Sequence, residues 1–297
     1  MKTGAKLYRC TLVLLSFPLF GCSGGDENVP GESQAAFSTS PGEPNHEEIT
    51  ASGLSFLRPE ILTALQAANV ATDVQFVLVN ANHFDDCNFS GGAAVVRTSQ
   101  AEAVAALAPA QPTGEADLLA IRAFARSLHA LQDFYAHTNW IELGGETLVD
   151  SGLTPFPSLA PYSEIASSGF VIVQGNKPKH AALSRDETAA YPESAVVSVK
   201  LGKARSPGLI SGTVDYEAGN FCPQSVAMTH EELNKDKSTL PGRLQQYEAA
   251  RSLATLQTEH EWCRLRELTR QAWGDAGTAR LDAWVVEGAA TPTCAAP

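Results

Sequence analysis

Residues 128–143, LHALQDFYAHTNWIEL, decide the fold. His129, Asp133 and His137 recur at intervals of four. At about 100° per residue they stand at about 0°, 40° and 80° around a helix axis, on one face. Leu128, Leu131, Phe134, Tyr135 and Trp140 surround them, so that face is expected to point into a core. A single histidine on such a face is ordinarily a hydrogen-bonded structural residue. Three ionisable groups in a row are harder to bury, because each unpartnered polar group costs several kcal/mol. A metal ion would partner them. The axial span from His129 to His137 is about 12 Å, too long for both imidazoles to hold one ion. Asp133, between them, could bridge two.

Helical spacing extends in both directions from this stretch. A helix is expected over 112–143, capped by Thr113 and stopped by Gly144 and Gly145. Another is expected over 45–68, capped by Asn45, with Glu47 and Glu48 in its first turn and an interruption at Pro59. Shorter helices are expected over 72–79 and 225–233, a long one over 241–273, and a further piece over 280–286. Residues 80–92 read as loop. Residues 146–223 are rich in Gly, Pro, Ser and β-branched residues and read as an irregular insertion. The runs 170–173 and 195–199 suggest a hairpin there. The fold expected is mostly α, a helical bundle with an irregular, partly β insertion.

The chain opens with Lys2, Lys6 and Arg9 followed by a short apolar run ending in Leu19-Phe20-Gly21-Cys22. This reads as a lipoprotein signal peptide over 1–21, with Cys22 as the acylated first residue of an exported protein lipid-anchored to the bacterial cell envelope. Acyl chains anchor firmly because each buried methylene is worth about 0.8 kcal/mol. Residues 22–44 read as a flexible tether, and 45–297 as one large helical domain. The net charge is −12, and removing the signal segment's three cations makes it −15. Such a surface argues against general nucleic-acid binding. Cys87, Cys222, Cys263 and Cys294 remain after processing, an even number that suggests two disulfides. Three pairings are open. Cys87 with Cys222 and Cys263 with Cys294 is the one favoured.

Further polar clusters stand at 45–50 (NHEEIT), 82–89 (NHFDDCNF) and 229–236 (THEELNKD), and Asp73 lies ten residues before His83. With the 128–143 stretch, in this order, they resemble the Het-C family. More distantly they are similar to zinc-dependent phospholipases C of the bacterial α-toxin type and to single-strand-specific zinc nucleases. The resemblance implies two or three zinc ions held by His46, Asp73, His83, His129, Asp133, His137 and His230. His83, His129, Asp73 and Asp133 would hold one ion, His137 and His230 would contribute to a second, and His46 with Asp133 would hold another. It also implies hydrolysis of a phospholipid or other phosphodiester, with Asp73 as ligand or as the base that orients water. Trp140, Phe84 and Tyr135 could line an approach for a lipid, though core packing is the first reading. A non-catalytic surface lipoprotein with structural zinc and a zinc nuclease are the alternatives. In the phospholipases the free α-amino group is itself a ligand, a role that acylated Cys22 cannot play. His180 and His260 match no motif.

Overall fold

The helix over 45–68 does not run through, and Pro59 is the reason. The computed structural model describes residues 46–111, 113–141, 148, 210–214, 221–222, 229–238 and 244–294. In it α1 (His46–Gly53) ends before Pro59, which instead occupies the first turn of α2 (Pro59–Phe76). Proline is preorganised for that place, and it forces the residue before it out of the helical region. Arg58 is accordingly extended, at φ −57° and ψ 140°. The separate helix expected over 72–79 is the end of α2, since nothing between Ala68 and Thr72 breaks the run.

The expected loop at 80–92 is largely ordered. It holds a one-turn helix, α3 (Asn80–His83), then a 3-10 turn (Asp85–Cys87), then the start of α4 (Phe89–Ala106). Asn88 caps α4, its side chain accepting from the amide of Gly91 at 3.1 Å. The paired glycines 91 and 92 hid this helix, because glycine is a poor helix former. Gly92 is there for contact: a Cβ would lie 2.4 Å from the Phe84 ring.

The central helix, α5 (Glu115–His137), is shorter than expected at both ends. Its cap is Gly114, not Thr113, and the Gly114 amide donates to the Asp117 carboxylate at 3.2 Å. It stops at Thr138, whose hydroxyl donates to the carbonyl of Phe134 at 2.6 Å. The chain then turns extended and pairs with 210–212: Asn139 N donates to Ile210 O and Gly212 N to His137 O, each at 3.0 Å. These bonds, not Gly144 and Gly145, end the helix. Among the described residues a one-turn helix, α6 (His230–Leu233), and a long one, α7 (Leu244–Asp282), follow. α7 is kinked at Gly274, one residue past the expected end at 273.

The described residues are thus mostly α-helical, and their only strand-like pairings are isolated bridges such as Leu57 with Val285. All belong to one compact unit, Gln34–Pro297. The expected signal peptide, Cys22, the tether, both hairpin runs, His180 and most of the insertion lie outside the described residues.

α5 is the axis. Near its N-terminal half, Phe124 and Leu128 pack with Leu54, Leu65, Trp262, Leu265 and Trp284. Near its C-terminal half, Leu131, Phe134 and Tyr135 pack with Phe84, Phe89, Trp140 and Leu253. Each large apolar side chain so buried contributes about 1.5–3 kcal/mol. Phe84, Tyr135 and Trp140 are therefore core, not an approach for substrate. Cys87 is bonded to Cys222 and Cys263 to Cys294, the favoured pairing.

Helix α1 reaches this bundle by a close approach to α7 at Gly53. A Cβ there would stand 2.8 Å from Thr255 O and 2.9 Å from Thr258 Cγ2. Glycine to alanine in a helix ordinarily stabilises by about 0.5–1 kcal/mol. Gly53→Ala is expected to do the opposite, destabilising by about 1–3 kcal/mol through overpacking. Urea unfolding of the metal-free protein checks the sign.

Candidate metal centre

Three helices bring one residue each, and α5 brings two, to a common point. α1 contributes His46 from its first turn, α2 Asp73 from its last, α3 His83, and α5 His129 and Asp133. Asp133 is the hub. One carboxylate oxygen lies 3.2 Å from His46 Nε2, and the other lies 2.8 Å from His83 Nδ1 and 3.1 Å from His129 Nε2. Asp73 stands opposite, 3.7 Å from His46 Nε2 and 3.5 Å from His129 Nε2. His46, Asp73, His129 and Asp133 each place one ligand atom within 4.8 Å of all the others. His83 flanks this group, 3.2 Å from His129 Nε2, with its far nitrogen 3.1 Å from Phe76 O.

Behind the imidazoles is a hydrogen-bonded wall that sequence reading missed. His46 Nδ1 lies 2.7 Å from Gln132 Oε1, and His129 Nδ1 lies 3.0 Å from Asn69 Oδ1. Both partners are carbonyl oxygens, so each Nδ1 must donate. Asn69 in turn donates to Gln132 Oε1 and Thr50 Oγ1, each at 3.1 Å, and Gln132 donates to Thr258 Oγ1 at 3.0 Å. The wall fixes both rings with Nδ1 protonated, leaving Nε2 turned toward the carboxylates as in histidine ligands of metals. A signal was present for Asn69, which lies four residues before Asp73 on the same helix face.

A second group lies one turn further along α5. His137 and His230 pack edge to face, ring centroids 4.2 Å apart. Asp85 Oδ1 is 3.2 Å from Nδ1 of both, and these three residues form the second set with ligand atoms within 4.8 Å. On the other side of the rings, Asp236 lies 3.5 Å from His137 Nε2 and 3.8 Å from His230 Nε2. Among the described residues there are thus two candidate sites, not three, and His46 shares the first with Asp73 and His129. Asp133 does not join the two, since His137 has Asp85 and Asp236 instead. Both aspartates stood inside the recognised motifs, yet neither was singled out. Asp236 lies beyond the end of α6, where helical spacing says nothing. His260 sits apart, 3.3 Å from Glu261.

The turn carrying Asp85 is conformationally costly. Phe84, Asp86 and Cys87 all have φ near +55°, a region that costs about 1–2 kcal/mol for an L-residue. It is held by the Cys87–Cys222 disulfide, by Asp86 N donating to Gly212 O at 2.8 Å, and by Cys87 N donating to Ser211 Oγ at 2.8 Å.

Several atoms at these centres lack a hydrogen-bond partner among the described residues: Asp73 Oδ2, Asp133 Oδ1, His137 Nε2, His230 Nε2 and both Asp236 oxygens. They are buried acceptors or imidazole nitrogens aimed at one another. A cation fits such a set, and the donors are all nitrogen and oxygen, the four described cysteines being disulfide-bonded.

One comparison with known proteins bears on this chain. The family model of the VWA7 N-terminal domain matches residues 45–168. No curated protein and no solved structure matches. The resemblance to the Het-C family is therefore overturned, and with it the inferred kinship to phospholipases C and zinc nucleases. Short histidine motifs in a shared order were too little sequence to identify a family. The matched region spans α1 to α5 and so contains His46, Asp73, His83, Asp85, His129, Asp133 and His137, but not His230 or Asp236.

Without metal, the clusters hold protons. Burial alone would push His46 and His230 down. The Asp133 and Asp73 carboxylates outweigh it at His46, and Asp85 and Asp236 do so at His230, raising each to about 9. Burial would raise Asp85, but His137 and His230 hold it at about 2. The histidine contribution to stability is complete below their unfolded value of about 6.5. It is lost as pH rises through 9. The Asp85 contribution is present above about 3.8 and lost as pH falls through 2. The chelated protein should therefore melt at progressively lower temperature from pH 6.5 to 9.5. The zinc-loaded protein, whose ligands must be neutral imidazoles, should not. Thermal scans of both forms check this, and parallel curves would count against it.

Proposed function

We propose that the protein is a zinc-dependent phosphodiester hydrolase, exported and held on the bacterial cell envelope through acylated Cys22. The observation that carries the reading is a gradient of exposure across the paired centres. His129, Asp133 and Asp236 are wholly buried, whereas Asp73, Asp85, His83 and His230 keep 4–8 % of their surface. The wall is fully closed, and what little exposure the centres keep falls mainly on these four residues. A catalytic zinc site needs such an open position, and a structural one does not.

His46, Asp73, His129 and Asp133, with His83 alongside, would hold one ion, and His137 and His230 with Asp85 or Asp236 the other. Zinc bound there supplies Lewis acidity that brings the pKa of water toward about 7 and offsets phosphoryl charge. Asp73 is the candidate base: it lies at the less buried edge and its Oδ2 is free of hydrogen bonds among the described residues. It would orient a water and accept its proton. Gln132 and Asn69 keep His46 and His129 in the tautomer that ligation requires. The acidic chain disfavours a nucleic-acid substrate. A lipid anchor would bring the site to phospholipid head groups, the substrate class proposed here. The two disulfides accord with an oxidising compartment.

The near-complete burial of His129 and Asp133 favours a second reading, in which zinc is structural and nothing is hydrolysed. Elemental analysis of purified protein, with turnover of phospholipid emulsions, a chromogenic phosphodiester and single-stranded DNA, separates the two. The expected result is bound zinc and phospholipid hydrolysis. Turnover should fall at least about a hundredfold on chelation or in His129→Ala, with zinc restoring the chelated protein. Tight zinc with no turnover leaves the structural reading. Turnover indifferent to chelation sinks both.

A further inference from the structure

Lys235 is wholly buried between Asn234 and Asp236. Its ammonium donates to Thr138 O at 2.7 Å and Leu233 O at 2.8 Å, and its backbone amide donates to Ala136 O at 3.1 Å. Thr138 immediately follows His137 at the end of α5. Leu233 is the last residue of α6, which begins with His230. One buried cation therefore ties the carbonyl end of the helix carrying His137 to the segment carrying His230 and Asp236. Asn234 extends the brace: its amide donates to His230 O at 2.8 Å, and its side-chain oxygen accepts from Asp236 N at 3.2 Å.

A buried ammonium is costly unless geometry and hydrogen bonding are good. Attraction of the metal cannot explain it, because a positive charge beside a cation site repels the ion. Placement can. α5 and α6 lie far apart in sequence, and His137 and His230 meet only if their register is set. The negative end of the α5 dipole favours a cation at this spot. We infer that Lys235 is a positioning residue for the second metal site, a clamp that sets His137, His230 and Asp236 in ligating register. This rests on the two-site reading proposed above.

The opposing signs of the two effects make the test decisive. Metal-stripped full-length protein is titrated with Zn²⁺ by calorimetry. The wild type should take two ions, with His129→Ala losing one and His137→Ala the other. Lys235→Met should weaken the ion lost in His137→Ala by about 10- to 100-fold and leave the other at its wild-type affinity. A charge effect alone would tighten that ion, and a general loss of stability would weaken both. Either result, or two unchanged affinities, overturns the assignment. Should Lys235→Met fail to fold, Lys235→Arg replaces it. It keeps the charge, but its larger guanidinium does not fit a closed space without displacing the Thr138 and Leu233 carbonyls that the ammonium bridges, and it should show the same selective weakening. Fewer than two ions in the wild type would instead remove the two-site reading, before any variant is made.

Discussion

Carboxylates buried among imidazoles govern this structure. Taking a carboxylate out of water costs several kcal/mol even after relaxation, and a domain's whole stability is about 5–15 kcal/mol. Asp73, Asp85, Asp133 and Asp236 are all buried, so without compensation they would consume that margin. Positive charge must enter with them. This requirement explains why α5 is encircled: α1 and α3 deliver imidazoles that answer Asp133, α2 brings Asp73, which needs the same answer, and Thr50, Asn69, Gln132 and Thr258 lock the rings from behind.

The second group obeys the same rule with less regular structure around it. Its Asp85 sits on a turn with three non-glycine residues in the left-handed region, a strain of roughly 3–6 kcal/mol at 1–2 per residue. The Cys87–Cys222 bond spans 135 residues, and closing so long a loop in the unfolded chain is worth about 4–5 kcal/mol. The two magnitudes are comparable. The disulfide therefore offsets the conformation that aims Asp85 between two histidines, and the cost of the site is met by covalent chemistry rather than by core packing.

What could be read beforehand follows from this physics. The α5 face was legible because its three ionisable groups repeat at helical spacing among apolar residues. His83 stood out in a polar motif and Asp73 by its place ten residues upstream, and their ligand roles came only through a family resemblance that did not hold. Asp85 and Asp236 were not legible, since a left-handed turn and a chain segment past a helix end leave no periodic trace. Helix ends went astray where tertiary bonds decide them, as at Thr138, which pairs with Ser211. α4 was hidden by Gly91 and Gly92, the first in close approach to Asn88 and the second to Phe84. The family assignment failed for a related reason. Histidines at helix ends recur wherever a bundle binds a cation, and their order alone does not identify ancestry.

Protons and a metal are rival ways of neutralising the first cluster, and hydrogen-bond directions separate them. With Nδ1 of His46 and His129 committed to Gln132 and Asn69, extra protons can only sit on Nε2. His83 Nδ1 and His129 Nε2 then compete for one oxygen of Asp133, while the proton on His46 Nε2 faces both Asp133 Oδ1 at 3.2 Å and Asp73 Oδ2 at 3.7 Å and can serve only one of them. The other oxygen is left buried and unsatisfied, at about 1–3 kcal/mol or more when charged. A divalent cation has no such directional limit. It accepts lone pairs from every side, and one ion within reach of His46, Asp73, His129 and Asp133 satisfies the set together. The orientation of the wall thus disfavours the protonated cluster, and a cation is the occupant that this arrangement of side chains suits.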